Sequence, residues 1–213
     1  MSQEVPYKKL ESGLLLEHTR ESHAEGLEQL QKIVFPTLSG SELLKADHYR
    51  RHIQVFAEGQ FVITDADKVI GMTTTMRTNF DFQNVHHSFS EIMGGGWMTN
   101  HDPEGEWMYG LDLGIHPDYR GRKLARELYV ARQETAKMLG LRGQLIVGML
   151  NGYGAVIDRM TADDYYHELL EGKRTDPTIT PQIKIGFQPL DLIAGYVNDT
   201  ACGNYGVLMK WEL

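Results

Sequence analysis

The chain has 213 residues, 41% hydrophobic and 23% charged, the balance of a globular protein large enough to bury roughly 70% of its extended surface. Lys and Arg number 21 against 29 Asp and Glu, a formal charge of −8. That excess speaks against binding a nucleic acid through a basic face and suits a neutral or cationic small partner.

In chain order, Leu14 to Thr19 reads as a first strand. Ser22 with Glu25 three residues on has the form of a capping box. Leu27, Leu30, Ile33 and Val34 follow at helical spacing until Pro36. Ser39 with Glu42 repeats the signal ahead of a second helix along Leu43, Ala46, Tyr49, Ile53 and Phe56. Gln60 to Thr64 and Val69 to Phe80, split by the turn Asp65 to Lys68, predict an antiparallel hairpin rich in β-branched residues. Asn84 to His101, with Gly94-Gly95-Gly96, is an irregular segment. Trp107 to His116 is a strand, Arg120 to Leu139 a long amphipathic helix and Gln144 to Leu150 a buried strand. Asn151 to Arg159 reads as a short helix, and Thr161 with Asp164 caps a second over Tyr165 to Leu170. Lys184 to Val197 and Tyr205 to Glu212 are closing strands.

Cys202 is the single cysteine, so neither an intramolecular disulfide nor a cysteine-based zinc site is available. Apolar runs such as Leu145 to Leu150 fall far short of the ~20 residues that span a bilayer. Met1 to Glu4 lacks the basic flank and apolar stretch of a secretory leader. The expectation is a cytoplasmic, single-domain protein over residues 1–213 that binds neither nucleic acid nor membrane.

The most informative stretch runs from Leu113 to Arg126. A strand ends at Pro117, and a helix begins inside a cluster of Arg120, Arg122, Lys123 and Arg126. Cations at a helix N-terminus oppose the macrodipole. The same end presents free N–H groups suited to phosphate. Two readings follow, a phosphate-binding turn and a solvated basic helix start. Neither a Walker A nor a G-x-G-x-x-G pattern is present.

This strand–Pro–Arg-Gly–helix run resembles the acetyl-CoA-binding motif of GNAT superfamily N-acetyltransferases, [Q/R]-x-x-G-x-[G/A]. Arg120 stands at its first position and Ala125 at its last, while Lys123 replaces the middle glycine. The family's element order, β–α–α–β–β–β–α–β–α–β–β, matches the chain from Leu14 to Leu213, and Ile185-Gly186-Phe187 resembles its late Gly-Phe. The fold implied is α/β (α+β), with a mixed, mostly antiparallel central sheet flanked by helices. Asp158 occupies the family's usual tyrosine position, and the chain carries an insertion around 160–183 with Tyr165 and Tyr166 inside it. That insertion, His101-Asp102-Pro103-Glu104-Gly105 and Tyr109-Gly110 resemble GNAT domains fused ahead of carbon–nitrogen hydrolases. With Leu213 last, a hydrolase is expected to be a separate protein.

The resemblance implies acyl transfer from acetyl-CoA to a primary amine of a small molecule or peptide. It implies that the pantetheine arm lies along Leu113 and Ile115 and near Asn151. Backbone and side chains of Arg120, Gly121, Arg122, Lys123, Leu124, Ala125 and Arg126 would then cradle the diphosphate. A homodimer is expected on the same ground. The alternative is a non-catalytic CoA-binding module that regulates a partner enzyme.

An amine must shed a proton before attack, so the reaction needs a base, a polarised carbonyl and an acid for the thiolate. Asp112 is the best-placed carboxylate by strand alternation, or else an ordinary structural Asp; Glu106 and Glu91 are weaker candidates. Tyr153 and Tyr165 (or Tyr166) are candidate proton donors, or packing residues. Trp97, His101 and Asp102 are assigned to the acceptor pocket. His86-His87 and His116 lack metal-ligand spacing, and no metal is expected.

Overall fold

A computed structural model describes residues 7–10 and 13–213; Met1 to Glu4, read above for a leader, lie outside the described residues. The described residues form one eight-stranded sheet in the order β1-β2-β3-β4-β5-β6-β8-β7. The strands are β1 (Lys8–Lys9), β2 (Leu15–His18), β3 (Phe61–Asp65), β4 (Lys68–Thr78), β5 (Trp107–Ile115), β6 (Gly143–Met149), β7 (Gln188–Ile193) and β8 (Gly206–Glu212). Neighbours pair antiparallel except β5 and β6, which run parallel. The helices are α1 (Ala24–Val34), α2 (Ala46–Phe56), α3 (Phe89–Met93), α4 (Leu124–Met138), α5 (Ala162–Leu170) and α6 (Ile179–Lys184). This is the mixed, mostly antiparallel sheet with flanking helices that the resemblance implies. No helix among the described residues is long and apolar enough to cross a membrane.

Strand alternation divides the core between the two faces of the sheet. Leu14, Leu16, Phe61, Ile63, Ile70 and Ile115 pack under Leu124, Leu128 and Ala131 of α4. Val62, Met72 and Met76 belong to the larger cluster with Leu27, Leu30, Tyr49 and Phe56 of α1 and α2. One irregularity in this alternation matters for function. Thr74 pairs with Asp112 but Thr75 with Gly110, so Leu111 is an extra residue in β5. The bulge turns Tyr109 and Asp112, three positions apart, to the same face, because their partners Met76 and Thr74 are two apart.

Several boundaries differ from the sequence expectation. No side chain of Ser22 caps α1; His23 Nδ1 accepts the Arg20 N–H instead, at 3.1 Å. On α1 the inward stripe is Ala24, Leu27, Leu30 and Gln31, while Ile33 is 43% exposed. α2 begins at Ala46, because Ser39 and Glu42 close a separate turn (Glu42 N to Ser39 O, 2.9 Å), and His52 is buried on its inner face. α4 begins at Leu124 rather than Arg120, since Gly121 and Lys123 have left-handed φ of 79° and 61°. The segment after β6 is a single 3₁₀ turn at Tyr153–Ala155, and Lys184 ends α6 instead of opening β7. Within 84–101, Ser88 and Glu91 cap α3 reciprocally, and Gly94 ends it in the left-handed region. The 160–183 insertion forms α5 and most of α6, and the Thr161 hydroxyl accepts the Asp164 N–H as its cap.

Leu128 is wholly buried beneath α4. Leu128→Ala is expected to lower the unfolding free energy by about 2–5 kcal/mol, measured by urea denaturation. Met138→Ala, on a side chain 71% exposed, should change it by less than ~0.5 kcal/mol.

Candidate active site

β5 and β6 pair from Trp107 opposite Gly143 to Gly110 opposite Ile146, and then part. β5 continues to Ile115 and β6 to Met149, so both strands present backbone to the gap. A cleft of about 870 Å³ occupies it, walled by β5, β6, the start of α4, the segment 177–182, and the loops at 34–38 and 196–201.

At one end lies the turn before α4. Arg120 N bonds the Pro117 carbonyl and Arg126 N that of Lys123, which leaves the N–H groups of Gly121 to Ala125 without a backbone acceptor among the described residues. Left-handed φ at Gly121 and Lys123 gives these amides the concave arrangement that binds anions. Lys123 holds the backbone shape of the glycine it replaces, so the turn survives at a cost in strain. Lys123, Arg120, Gly121, Leu124 and Ala125 line the cleft; Arg122 and Arg126 do not. Arg122 lies over the Tyr119 ring at 5.0 Å, and Arg120 Nε donates to the Ile115 carbonyl at 3.2 Å, tying the turn to the end of β5. The expected convergence of four cations is therefore two cations and a row of amides.

Along the strands, Leu113 and Ile115 line the gap. Asn151 also lines it, and its amide donates to the Thr178 hydroxyl at 2.7 Å, docking the insertion against the end of β6. Asp176, buried, gathers that docking: it accepts from Gly152 N, Thr178 N, Ile179 N and the Tyr165 hydroxyl.

At the fork stands Asp112. Its Oδ2 accepts from Gln31 Nε2 at 2.8 Å and the Tyr49 hydroxyl at 3.1 Å, while Oδ1 is buried with no hydrogen-bond partner. Burial raises its pKa, against the contact with Thr74, the Tyr49 hydrogen bond and the nearby Arg132 charge. A buried carboxylate with one oxygen outside the Gln31–Tyr49 network and a raised pKa has the attributes of a general base. Its supports, Gln31 and Tyr49, were missed in the sequence because a glutamine and a tyrosine on amphipathic helices read as surface and packing.

Other predicted residues lie elsewhere. Tyr153 donates to the Met160 carbonyl and packs on Tyr165 and Tyr205; Tyr165 is bound to Asp176. Neither lines the cleft, and Tyr129 and Tyr196 do. Tyr129 accepts from Gln182 at 2.9 Å, and the Tyr196 hydroxyl is buried beside that of Tyr109. Trp97 packs edge-on against His48, His101 Nδ1 accepts the Arg77 N–H and stacks on Phe56, and Asp102 closes a turn to Glu104. These three hold the loop that enters β5 and do not reach the cleft. Glu91 caps α3, and Glu106 pairs with Arg142 at the surface. His87 bonds the Tyr109 hydroxyl at 2.7 Å, and His116 accepts the Asp118 N–H.

Because the Asp112 pKa is raised, the folded state holds its proton more tightly than the unfolded one, and stability falls as pH rises above about 3.9. Asp112→Asn is therefore expected to raise Tm near pH 7, with the gain shrinking as pH approaches 4; thermal melts across pH check it. Lys123→Gly removes the left-handed strain of a residue with a β-carbon. It should raise stability by roughly 1 kcal/mol, read by the same melts.

A profile of the acetyltransferase (GNAT) family matches residues 25–153. Among curated relatives, a probable hydrolase, YhcX of Bacillus subtilis (strain 168), is 32% identical over 213 residues, all of this chain but 41% of that protein. The chain thus spans less than half of that relative's length. An uncharacterized N-acetyltransferase of the same organism, YkwB, is 28% identical over 200 residues, 93% of this chain and 88% of its own. Among solved structures, the GphF GNAT-like decarboxylase in complex with isobutyryl-CoA superposes with a TM-score of 0.78 at 19% identity, covering 92% of this chain and 98% of that one. A sheet parted after Gly110, an amide-lined turn opening α4 and a profile covering more than half the residues lead to one conclusion: the chain belongs to the acetyltransferase (GNAT) family.

Proposed function

We propose that this protein transfers an acetyl group from acetyl-CoA to a primary amine of a small molecule or peptide, by direct attack of the amine on the thioester. The observation that carries the reading is the parting of β5 from β6 between an amide-lined turn and a buried carboxylate. A CoA thioester fits the cleft residue by residue. The N–H groups of Gly121 to Ala125 with Lys123 and Arg120 meet the diphosphate. The free edge of β5 from Leu111 onward takes the amide arm as an added strand would. Gln182 Oε1, buried without a partner on the cleft wall, accepts an amide N–H of that arm. The isobutyryl-CoA named with the GphF structure supports a CoA thioester as donor.

Asp112 Oδ1 takes the proton that the ammonium form of the acceptor must lose, while Gln31 and Tyr49 hold the carboxylate in place. Among the cleft tyrosines, Tyr196, whose buried hydroxyl sits beside that of Tyr109, is suited to protonate the leaving thiolate. The acceptor enters on the α1 side, beside the seam of residues 34–38 and 196–201 that a bridge from Leu38 to Asp199 closes. The net charge of −8 favours a cationic acceptor. We propose further that residues 1–213 act as a single cytoplasmic domain, able to form a homodimer.

Calorimetry with CoA and a thiol-release assay with acetyl-CoA and an amine panel test this. Arg120→Ala with Lys123→Ala should weaken CoA binding by roughly 1.5–3 kcal/mol per lost charge-assisted contact. Asp112→Asn should lower kcat and leave the CoA affinity little changed. Tight CoA binding without thiol release on any amine would identify a regulatory CoA-binding module instead, and no CoA binding would overturn both readings.

A further inference from the structure

The apolar face of α4 is interrupted by one charged residue. Arg132 lies between Leu128 and Thr135 on the inward side and is 1% exposed. Its guanidinium rests on Gly110, where a β-carbon would overlap Nη2, at the last pair before β5 and β6 separate. Nη2 donates to the Thr74 carbonyl at 3.4 Å, a long contact, and the Cζ sits 5.5 Å from the centre of the Tyr129 ring. Nε is buried with no hydrogen-bond partner, and the side chain lines the cleft. Asp112 approaches the fork from the opposite face, near enough for each charge to be felt by the other, but no ion pair joins them among the described residues. A guanidinium does not neutralise itself by losing a proton in a protein. A charge this deep, held by one long hydrogen bond and the face of one ring, is costly unless something else completes it.

Position decides what that is. Arg132 comes eight residues after Leu124, roughly 12 Å along the helix axis at 1.5 Å per residue. It is therefore out of reach of a diphosphate held at the Gly121 to Ala125 amides. It stands at the far end of the cleft, where the acyl group of a CoA thioester would lie. A methyl group there would leave Nε–H unpaired and the charge uncompensated. A carboxylate would satisfy both, in the forked geometry that guanidinium groups match.

We propose that Arg132 is a specificity-determining residue that selects acyl donors bearing a free carboxylate on the acyl chain, a dicarboxylic acyl thioester of the malonyl or succinyl type. The inference rests on the CoA reading above and replaces the acetyl donor proposed there with a carboxylated acyl donor. Gly110 is part of the same device, because only a residue without a side chain lets the guanidinium reach the fork.

Calorimetric titration of the full chain with CoA, acetyl-CoA, malonyl-CoA and succinyl-CoA tests it. Malonyl-CoA or succinyl-CoA should bind at least tenfold more tightly than acetyl-CoA. Arg132→Gln should bring that ratio to about one, and Arg132→Lys should retain part of it. Arg120→Ala should weaken all four ligands together with the ratio preserved. Equal affinity of the wild-type protein for acetyl-CoA and both carboxylated donors would overturn the proposal, even if neither Arg132 variant folds. An Arg132→Gln protein that weakens all four alike would overturn it too, by showing a structural role. Binding of CoA with no donor preference sinks this inference alone, whereas no binding of any of the four sinks the CoA reading beneath it.

Discussion

A hydrogen-bond ladder that stops partway organises this molecule. Among the described residues β5 and β6 are the one parallel pair in an otherwise antiparallel sheet, and they separate after Gly110 and Ile146 while both continue. Buried backbone groups require partners, so two strands that part expose an edge needing an extended polar ligand or water. The bulge at Leu111 sits at the same point and sets which face Asp112 occupies. The helices on either side then divide the labour. α1 and α2 supply the supports of Asp112 from one face, and α4 brings its amide turn and Arg132 from the other.

The two buried charges are maintained by different means. Asp112 has one oxygen satisfied by an amide and a phenol and one left free, so the network fixes its orientation without quenching its basicity. Arg132 has little that is comparable: one long contact to the Thr74 carbonyl, the ring of Tyr129, and the charge of Asp112 across the sheet. A core built for stability alone would hold neither group in this condition, which is why both read as parts of a ligand site.

The turn opening α4 shows how a motif survives a substitution. Lys123 adopts the left-handed conformation for which glycine is the easy choice, and the free amides of the turn are retained. Two of the four cations of the cluster, Arg122 and Arg126, stay outside the cleft. The turn thus offers the cleft backbone amides more than basic side chains.

By itself the sequence determined the order of the elements, the strand that ends in the turn before α4 and the helix after it, and it offered Asp112 as a candidate, because periodicity, Pro117 and the Arg-Gly turn are local signals. It misjudged positions whose role comes from distant partners. Ile33 looked buried and Gln31 did not, yet Gln31 lies inward and reaches Asp112, 81 residues away. Tyr153, Tyr165, Trp97, His101 and Asp102 had suitable chemistry and sit where the chain packs them away from the cleft. Tyr196, Gln182 and Arg132 were found only in three dimensions. Nothing within a few residues of each shows that its side chain ends in the gap; that follows from where β5 and β6 part and from which helix covers the opening, and both depend on contacts between segments far apart in the chain.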